Sequence, residues 1–174
     1  MDGVFFTNGP GDPMDATGLI ERIRNVIESD LNIPIFGICL GHQLLALAAG
    51  AKTIKMKYGH RSVNQPVRDL KTNKCYVTSQ NHGFMVQAES ISKDWEPWFV
   101  NINDGTNEGI RHKTKPISSV QFHPEANPGP NDTNYLFDEY ISKVKAMKKF
   151  KKPLPKIRLT NGENKTVHEE AAIA

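Results

Sequence analysis

The sequence has few cysteines and no long apolar run. Its two cysteines, Cys39 and Cys75, are spaced for neither a zinc site nor a disulfide framework. No apolar stretch reaches the roughly 20 residues of a membrane-spanning helix, and the first residues, Met1-Asp2-Gly3, lack the basic region of a signal peptide. We therefore expect a cytoplasmic protein with reduced thiols and no contact with a membrane.

An excess of one charge is also missing. The net charge is +3, with 24% charged and 38% hydrophobic residues, which is typical of a globular protein and too mild to indicate nucleic-acid binding. The seven lysines between residues 143 and 156 are typical of a solvated helix end. No G-x-x-x-x-G-K-[ST] motif occurs, so the sequence predicts no phosphate-binding loop of that kind.

The length of 174 residues predicts one domain and a tail. We assign the domain to residues 1–150 and a flexible tail or linker to residues 151–174, where hydrophobic periodicity is lost. Residues 3–7 already read as a buried strand with no lead-in. We therefore expect the domain to be partial and cut on its N-terminal side.

The stretch GICLGHQ, residues 37–43, has the strongest pattern for chemistry. An apolar, β-prone segment precedes it and strong helix formers follow it, which predicts a strand, a sharp turn at Cys39 and a helix. Glycines on both sides allow a turn so tight that a neighbouring Cβ would clash, and they push the central side chain outward. The N-terminal end of the helix favours the thiolate. Cys39 is thus either a nucleophile or a buried structural cysteine.

The segments before this turn predict a parallel α/β unit. Residues 4–7 form a strand, 15–30 an amphipathic helix and 33–38 a second strand. The Gly/Pro-rich loop 8–13 follows the first strand, and backbone N–H groups in such a loop can bind an anion or an oxyanion. Because ligands bind at the carboxyl ends of parallel strands, this loop and Cys39 should share one edge of the sheet.

The pattern after the second helix, at 43–49, changes to short alternating segments. We expect antiparallel strands at 52–58, 65–69 and 75–80, followed by a polar loop from residue 80 that leads into an apolar run ending at 86. Residues 95–103 and 108–112 should form a hairpin with its turn at Asp104-Gly105. A core strand at 117–122 and a last helix after residue 133 complete the prediction.

His123-Pro124-Glu125, at the end of that core strand, is the second chemical pattern. A glutamate two residues from a histidine can hold the imidazole in one tautomer while its other nitrogen faces a nucleophile. Alone, the tripeptide more often indicates a hydrogen-bonded histidine in a turn. A cysteine on a nucleophile turn elsewhere supplies the third role of a catalytic triad.

Together these motifs resemble the class I, triad-type glutamine amidotransferases. Within them the chain is similar to the small, glutamine-hydrolysing subunit or domain of carbamoyl-phosphate synthase, over about residues 3 to 145. The stretches that carry the resemblance are NGPGDP at 8–13, GICLGHQLLALAAGAKTIKMKYGHRSVNQPV at 37–67, TSQNHGF at 78–84 and SVQFHPEANPGPNDTNYLFDEY at 119–140.

The resemblance implies a fold and a reaction. The fold would be an open, mixed, mainly parallel α/β sheet flanked by helices, flavodoxin-like, with antiparallel strand additions. Cys39 would attack the side-chain amide of glutamine, His123 would act as general base and then acid, and Glu125 would orient His123. The oxyanion would bind backbone N–H groups of the Gly9–Gly11 loop and of Leu40, and water would hydrolyse the γ-glutamyl thioester to glutamate.

The resemblance also implies a glutamine pocket made of Gly9, Gly11, Leu40, Gln43, Asn81, Gly83 and Phe84. Gln43 and Asn81 offer donor and acceptor groups for the charged end of the amino acid, and Phe84 offers an apolar contact to its methylene stem. A serine of the family that contacts glutamine would lie before this sequence, so no equivalent is named. Without the resemblance, Gln43 and Asn81 would be read as helix-surface and turn residues.

The implied partner is the large synthetase subunit of carbamoyl-phosphate synthase, or a fused domain. It would use ATP and bicarbonate, while this chain would use L-glutamine and need no cofactor or metal of its own. The product would serve arginine or pyrimidine biosynthesis. Two alternatives stay open: a weak or inactive truncated fold that binds or regulates, and an amidotransferase for anthranilate or GMP synthesis.

Overall fold

The computed structural model describes residues 1–127 and 129–150, so the tail expected at 151–174 lies outside the described residues. The described part contains three α-helices, two short 3₁₀ turns and seven strands. The helices are α1 (Thr17–Glu28), α2 (Leu40–Ala48) and α3 (Tyr135–Phe150), the 3₁₀ turns are Pro13–Ala16 and Ala88–Ser90, and the strands are β1 (Val4–Phe6), β2 (Ile35–Ile38), β3 (Thr53–Asp69), β4 (Cys75–Val86), β5 (Trp95–Asn101), β6 (Asn107–His112) and β7 (Ile117–Val120).

All seven strands form one mixed sheet in the order β1-β2-β7-β6-β5-β3-β4. Strands β1, β2 and β7 are parallel, and every other neighbouring pair is antiparallel. The parallel part places the carboxyl ends of β1 and β2 at one edge. The predicted mixed, helix-flanked sheet with antiparallel additions is thereby confirmed. The sheet is not mainly parallel as expected, because two of its neighbouring strand pairs are parallel and four are antiparallel.

Side chains of the strands alternate between two apolar layers. Ile35 on β2 packs with α1 and α2 on one face of the sheet, where Ile23 and Leu45 are almost fully buried. Phe36, the next residue, packs on the opposite face with Leu136 of α3. The two layers hold β2 between them, so the turn that follows this strand is built on a fixed base. Among the described helices, none is long and apolar enough to cross a membrane.

The prediction from sequence was wrong mainly in the region of β3 and β4. The strands expected at 52–58 and 65–69 are one strand of 17 residues, and the loop expected after residue 80 belongs to β4. Register shifts between Lys55 and His60 and between Ser62 and Gln65 interrupt the alternation, and Gly59 adopts a φ of +69°. Such bulges break the two-residue period on which the prediction relied.

The remaining predicted elements hold, with shifted ends. The helix expected at 15–30 begins at Thr17, after a 3₁₀ turn in which Asp12 Oδ1 accepts a hydrogen bond from Met14 N. The helix expected at 43–49 begins at Leu40, directly after Cys39. The hairpin expected at 95–112 is present, and Gly105 in its turn has a φ of +74°. The other strand ends move by at most two residues.

Candidate active site

The turn between β2 and α2 is as tight as its glycines predict. Cys39 adopts a φ of +53°, a region that residues with a Cβ rarely occupy. A Cβ on Gly37 would lie 2.8 Å from the backbone of Gly41, and one on Gly41 would collide with the carbonyl oxygen of Phe6. Cys39 N donates to Val120 O at 2.9 Å. The backbone of neighbouring strands therefore holds the cysteine in a strained conformation.

The thiol of Cys39 lies at the floor of a cavity. The residue is only 5% exposed, so the outward-pointing thiol expected from the turn is largely covered by its surroundings. Its Sγ lies 4.0 Å from the backbone oxygen of Asn81 on β4. The cavity above it measures about 1080 Å³, which is ample for an amino acid. Cys75, in contrast, is exposed and lies on β4, outside this cavity.

His123 and Glu125 form an ion pair at the rim of the same cavity. His123 Nδ1 lies 2.8 Å from Glu125 Oε1 and donates to it. His123 N donates to Ser79 O at 2.9 Å, which ties the loop after β7 to β4. The other ring nitrogen, Nε2, is buried and has no hydrogen-bond partner within the described chain. The glutamate thus fixes one tautomer and leaves Nε2 available for a reacting group.

The electrostatics of this pair favour a protonated imidazole. The neighbouring Cys39 thiol, which does not meet the geometry of a hydrogen bond to Nε2, is the largest effect that raises the pKa of His123, to about 10. The hydrogen bond to Glu125 adds to it, and burial opposes both. For Glu125, burial is the largest effect and acts to raise the pKa, but the hydrogen bond and charge of His123 and a backbone hydrogen bond together outweigh it, so the pKa lies below its usual value. The arrangement therefore supports an imidazolium that can pass its proton from Nε2 to a leaving group.

All site residues predicted from the sequence except Leu40 line this cavity. They are Cys39, His123, Glu125, Gly9, Gly11, Gln43, Asn81, Gly83 and Phe84. Leu40 is the first residue of α2, and its side chain packs against Gly9, where an added Cβ would lie 2.8 Å from Leu40 Cδ2. The Gly-rich loop after β1 therefore sits directly on the first turn of α2. This juxtaposition brings together the two sets of backbone N–H groups expected to bind an oxyanion.

Gln43 contacts the protein rather than solvent. It is 3% exposed, and its Nε2 donates to Phe84 O and to Gln121 Oε1, both at 3.1 Å. This nitrogen holds the wall of the cavity in place, a use that the sequence did not predict. Gln121 was missed altogether, although a glutamine within the apolar run 117–122 is the kind of signal that marks a buried polar contact.

A second buried contact links α2 to β7. His42 is fully buried, and its Nδ1 lies 2.9 Å from Ser119 Oγ. Burial, together with the nearby His82, lowers the pKa of His42 to about 3, so its ring is neutral. The contact joins the helix that follows Cys39 to the strand that leads to His123.

Comparisons with known proteins agree with this geometry. Residues 1–143 match the family model of the class I glutamine amidotransferases. The chain is 53% identical over 164 residues to the carbamoyl phosphate synthase arginine-specific small chain of Debaryomyces hansenii, covering 94% of this chain and 36% of that one. It is 58% identical over 148 residues to the protein of the same name from Neosartorya fischeri, covering 85% and 32%.

Solved structures show the same fold at lower identity. A glutamine amidotransferase from Thermotoga maritima superposes with a TM-score of 0.58 at 21% identity, covering 84% of this chain and 66% of that one. A protein assigned to GMP synthase from Thermoplasma acidophilum gives a TM-score of 0.70 at 24% identity, covering 86% and 75%. The chain spans about a third of the length of the curated relatives that it matches. With the family model matched from residue 1 to 143, the chain belongs to the class I glutamine amidotransferases.

Proposed function

We propose that this chain carries the glutamine-hydrolysing site of a carbamoyl phosphate synthase small chain. The observation that carries the proposal is the pair formed by His123 and Glu125, which lines the same cavity as Cys39. The Nε2 atom of His123 is buried there and makes no hydrogen bond within the described residues. The identity of 53% and 58% to small chains of that name supports the assignment to this enzyme within the family.

In the proposed reaction, the Cys39 thiolate attacks the side-chain amide carbon of glutamine. The carbonyl oxygen becomes an oxyanion and accepts hydrogen bonds from backbone N–H groups of Leu40 and of the loop that contains Gly9. Each such donor lowers the barrier by about 3 kcal/mol. His123 Nε2–H then protonates the departing nitrogen, so ammonia leaves and a γ-glutamyl thioester remains on Cys39.

Hydrolysis of the thioester returns the site to its starting state. His123 Nε2, now without its proton, accepts a proton from water as the water oxygen attacks the thioester carbon. The C–S bond breaks, glutamate leaves and the thiolate is regenerated next to the imidazolium. Glu125 accepts the Nδ1–H bond throughout, which keeps the proton-transferring nitrogen directed at the reacting atoms.

The partner in this proposal is the synthetase chain or domain of carbamoyl phosphate synthase. It would consume the ammonia with ATP and bicarbonate, and the relatives' name points to the arginine-specific enzyme. Ammonia would have to pass within the complex, because at neutral pH free ammonia is mostly protonated and no longer nucleophilic.

The test is glutamate release by the full-length protein. We expect Cys39→Ala to abolish it and Cys75→Ala, which changes the exposed thiol on β4, to leave it unchanged. Adding the synthetase partner with ATP and bicarbonate should give glutamine-dependent carbamoyl phosphate, and ammonium salts should bypass the Cys39→Ala defect. Equal rates for Cys39→Ala and the parent would overturn the proposal. Thermal stabilisation by glutamine without turnover would instead favour a binding module.

A further inference from the structure

A polar cluster, buried except for Asp104, lies behind the cavity wall that strand β4 provides. The wall is the segment from Ser79 to Phe84, in which Asn81 and His82 line the cavity while Gln80 does not. Gln80 and His82 are 2% and 6% exposed. The cluster combines three parts of the chain that are far apart in sequence. Its members are His60 of β3, Gln80 and His82 of β4, Asn101 of β5, Asp104 of the hairpin turn and Glu108 of β6.

His60 is at the centre of this cluster and is surrounded by acceptors. Its Nδ1 lies 2.9 Å from Gln80 Oε1 and 3.2 Å from Glu108 Oε1, and its Nε2 lies 2.9 Å from Asp104 Oδ2. Both ring nitrogens therefore donate, which requires the imidazolium form. The hydrogen bond to Glu108 is the largest effect that raises the pKa of His60, to about 9, against the opposing effect of burial.

The cluster reaches the substrate side through β4. Gln80 Oε1 lies 3.0 Å from His82 Nε2, and His82 Nδ1 lies 2.8 Å from the backbone oxygen of Phe84. That oxygen also accepts the hydrogen bond from Gln43 Nε2. The predicted pocket residues are thus held from two directions, by Gln43 on the nucleophile helix and by the ring of His82 on the cluster side.

A metal ion is not needed to explain this arrangement. His60, His82 and Glu108 have ligand atoms within 4.8 Å of one another, and no other trio of this kind occurs in the described part of the chain. However, Gln80 Oε1 already lies between the two imidazoles: it accepts a hydrogen bond from His60 Nδ1 and packs against Nε2 of the neutral His82 ring, whose Nδ1 donates to Phe84 O. Hydrogen bonding accounts for the trio.

We propose that His60 is a positioning residue for glutamine, holding the wall from Ser79 to Phe84 through Gln80 and His82. The inference rests on the proposed function. His60 does not line the cavity and touches no reacting group. Its loss would leave the Gln80 side chain held only by its hydrogen bond to Thr78 and its contact with His82. It would also leave Glu108, which is fully buried and already has one unpaired oxygen within the described residues, without its cationic partner. The wall would then shift relative to Cys39, and glutamine would bind more weakly.

The experiment compares His60→Ala and His60→Gln with the parent in full-length protein that carries Cys75→Ser. We expect His60→Ala to raise KM for glutamine by about tenfold or more while kcat stays within about threefold, because ground-state and transition-state binding weaken together. His60→Gln keeps a donor to the carboxylates and should recover part of the loss. The rate of Cys39 alkylation by iodoacetamide without glutamine should not change.

Asn107→Ala is the matched control. Asn107 is as buried as Gln80 and His82 and donates to Gly109 O on the same hairpin. Although it precedes Glu108, its side chain has no hydrogen bond to a cluster residue among those found in the described structure. We expect it to lower the melting temperature without changing KM. The positioning role is refuted if His60→Ala has the melting temperature and the KM of the parent. It is also refuted if kcat, KM and the rate of Cys39 alkylation change by the same factors in His60→Ala and Asn107→Ala, because His60 would then have only a structural role.

A second measurement separates this inference from the proposed function. Glutamine should protect Cys39 from iodoacetamide whether or not it is hydrolysed. The glutamine concentration that gives half-protection should rise about tenfold in His60→Ala. If the parent protein releases no glutamate from glutamine, the proposed function is refuted, but the positioning role of His60 is not. Unchanged half-protection in a folded His60 variant would refute the positioning role.

Discussion

Two clusters of titratable groups face each other across the wall from Ser79 to Phe84. In each, a histidine donates to carboxylates and its pKa is raised, to about 10 for His123 and to about 9 for His60. The clusters differ in access, because His123 lines the cavity together with Cys39 whereas His60 does not. His123 also keeps one ring nitrogen without a partner in the described structure, while both nitrogens of His60 are engaged.

The comparison shows that a perturbed pKa does not identify a catalytic histidine. A shifted pKa marks functional sites and structural ion-pair networks alike. The distinguishing property is a nitrogen that is held in one tautomer, free of other bonds and next to a nucleophile. By this criterion we propose His123 for the reaction itself and His60 for the geometry of the wall.

The largest difference should appear when each histidine is removed. We expect His123→Ala to lower kcat by about 10³-fold, within the range for loss of a general acid–base group, and His60→Ala to leave kcat nearly unchanged. Steady-state glutamate release checks both. A His60→Ala variant that stays folded but loses kcat as severely as His123→Ala would erase the distinction between the two clusters.

Replacing the carboxylate partner of each histidine by an amide should give a smaller difference in kcat between the two clusters. Glu125→Gln still accepts the Nδ1–H bond of His123 but no longer stabilises the imidazolium, so we expect kcat to fall by about 10- to 100-fold. Glu108→Gln should change kcat little and raise KM by a few fold. The pH profile of kcat provides the check: it should shift in Glu125→Gln and stay fixed in Glu108→Gln.

The smallest effect concerns stability against pH. Because His123 and His60 bind protons more tightly when folded than at the unfolded pKa of about 6.5, their contribution is complete below pH 6.5 and is lost as pH rises through about 9 to 10. Burial lowers the pKa values of His42 and His82 to about 3 and 4, so their contribution is complete above pH 6.5 and is lost as pH falls through those values.

We therefore expect the free energy of unfolding to be largest between about pH 6 and 7. His60→Gln should flatten the alkaline side, removing on the order of 2 kcal/mol of the change between pH 7 and 9. Urea unfolding at fixed pH values measures this. An identical alkaline slope in parent and variant would show that His60 is not charged in the folded protein.

The parts of the site that depend on local sequence could be predicted. Cys39 was found because its conformation requires glycines within two residues on either side. His123 and Glu125 were found because they are two residues apart at a strand end. In both cases the residues that interact are close along the chain, so their pattern is visible without the fold.

The cluster around His60 could not be predicted for the opposite reason. His60 and Glu108 are 48 positions apart. The sequence around each of them contains no local motif that predicts a buried ion pair. Because of its bulges, β3 could not be recognised from the sequence as one long strand. The run of turn-forming residues after Gln80 was likewise not recognised as part of β4. Sheet pairing across the middle of the chain, rather than any local preference, brings these residues together.

The left-handed backbone at Cys39 has a consequence for how the sequence can vary. A non-glycine residue in that conformation costs about 1–3 kcal/mol, and a glycine there would relieve the strain. Selection for folding alone would favour glycine at position 39, and selection for chemistry favours the thiol. At this one residue, thermodynamic stability and activity therefore favour different side chains. In relatives that no longer need catalysis, we expect the cysteine at this position to be replaced early.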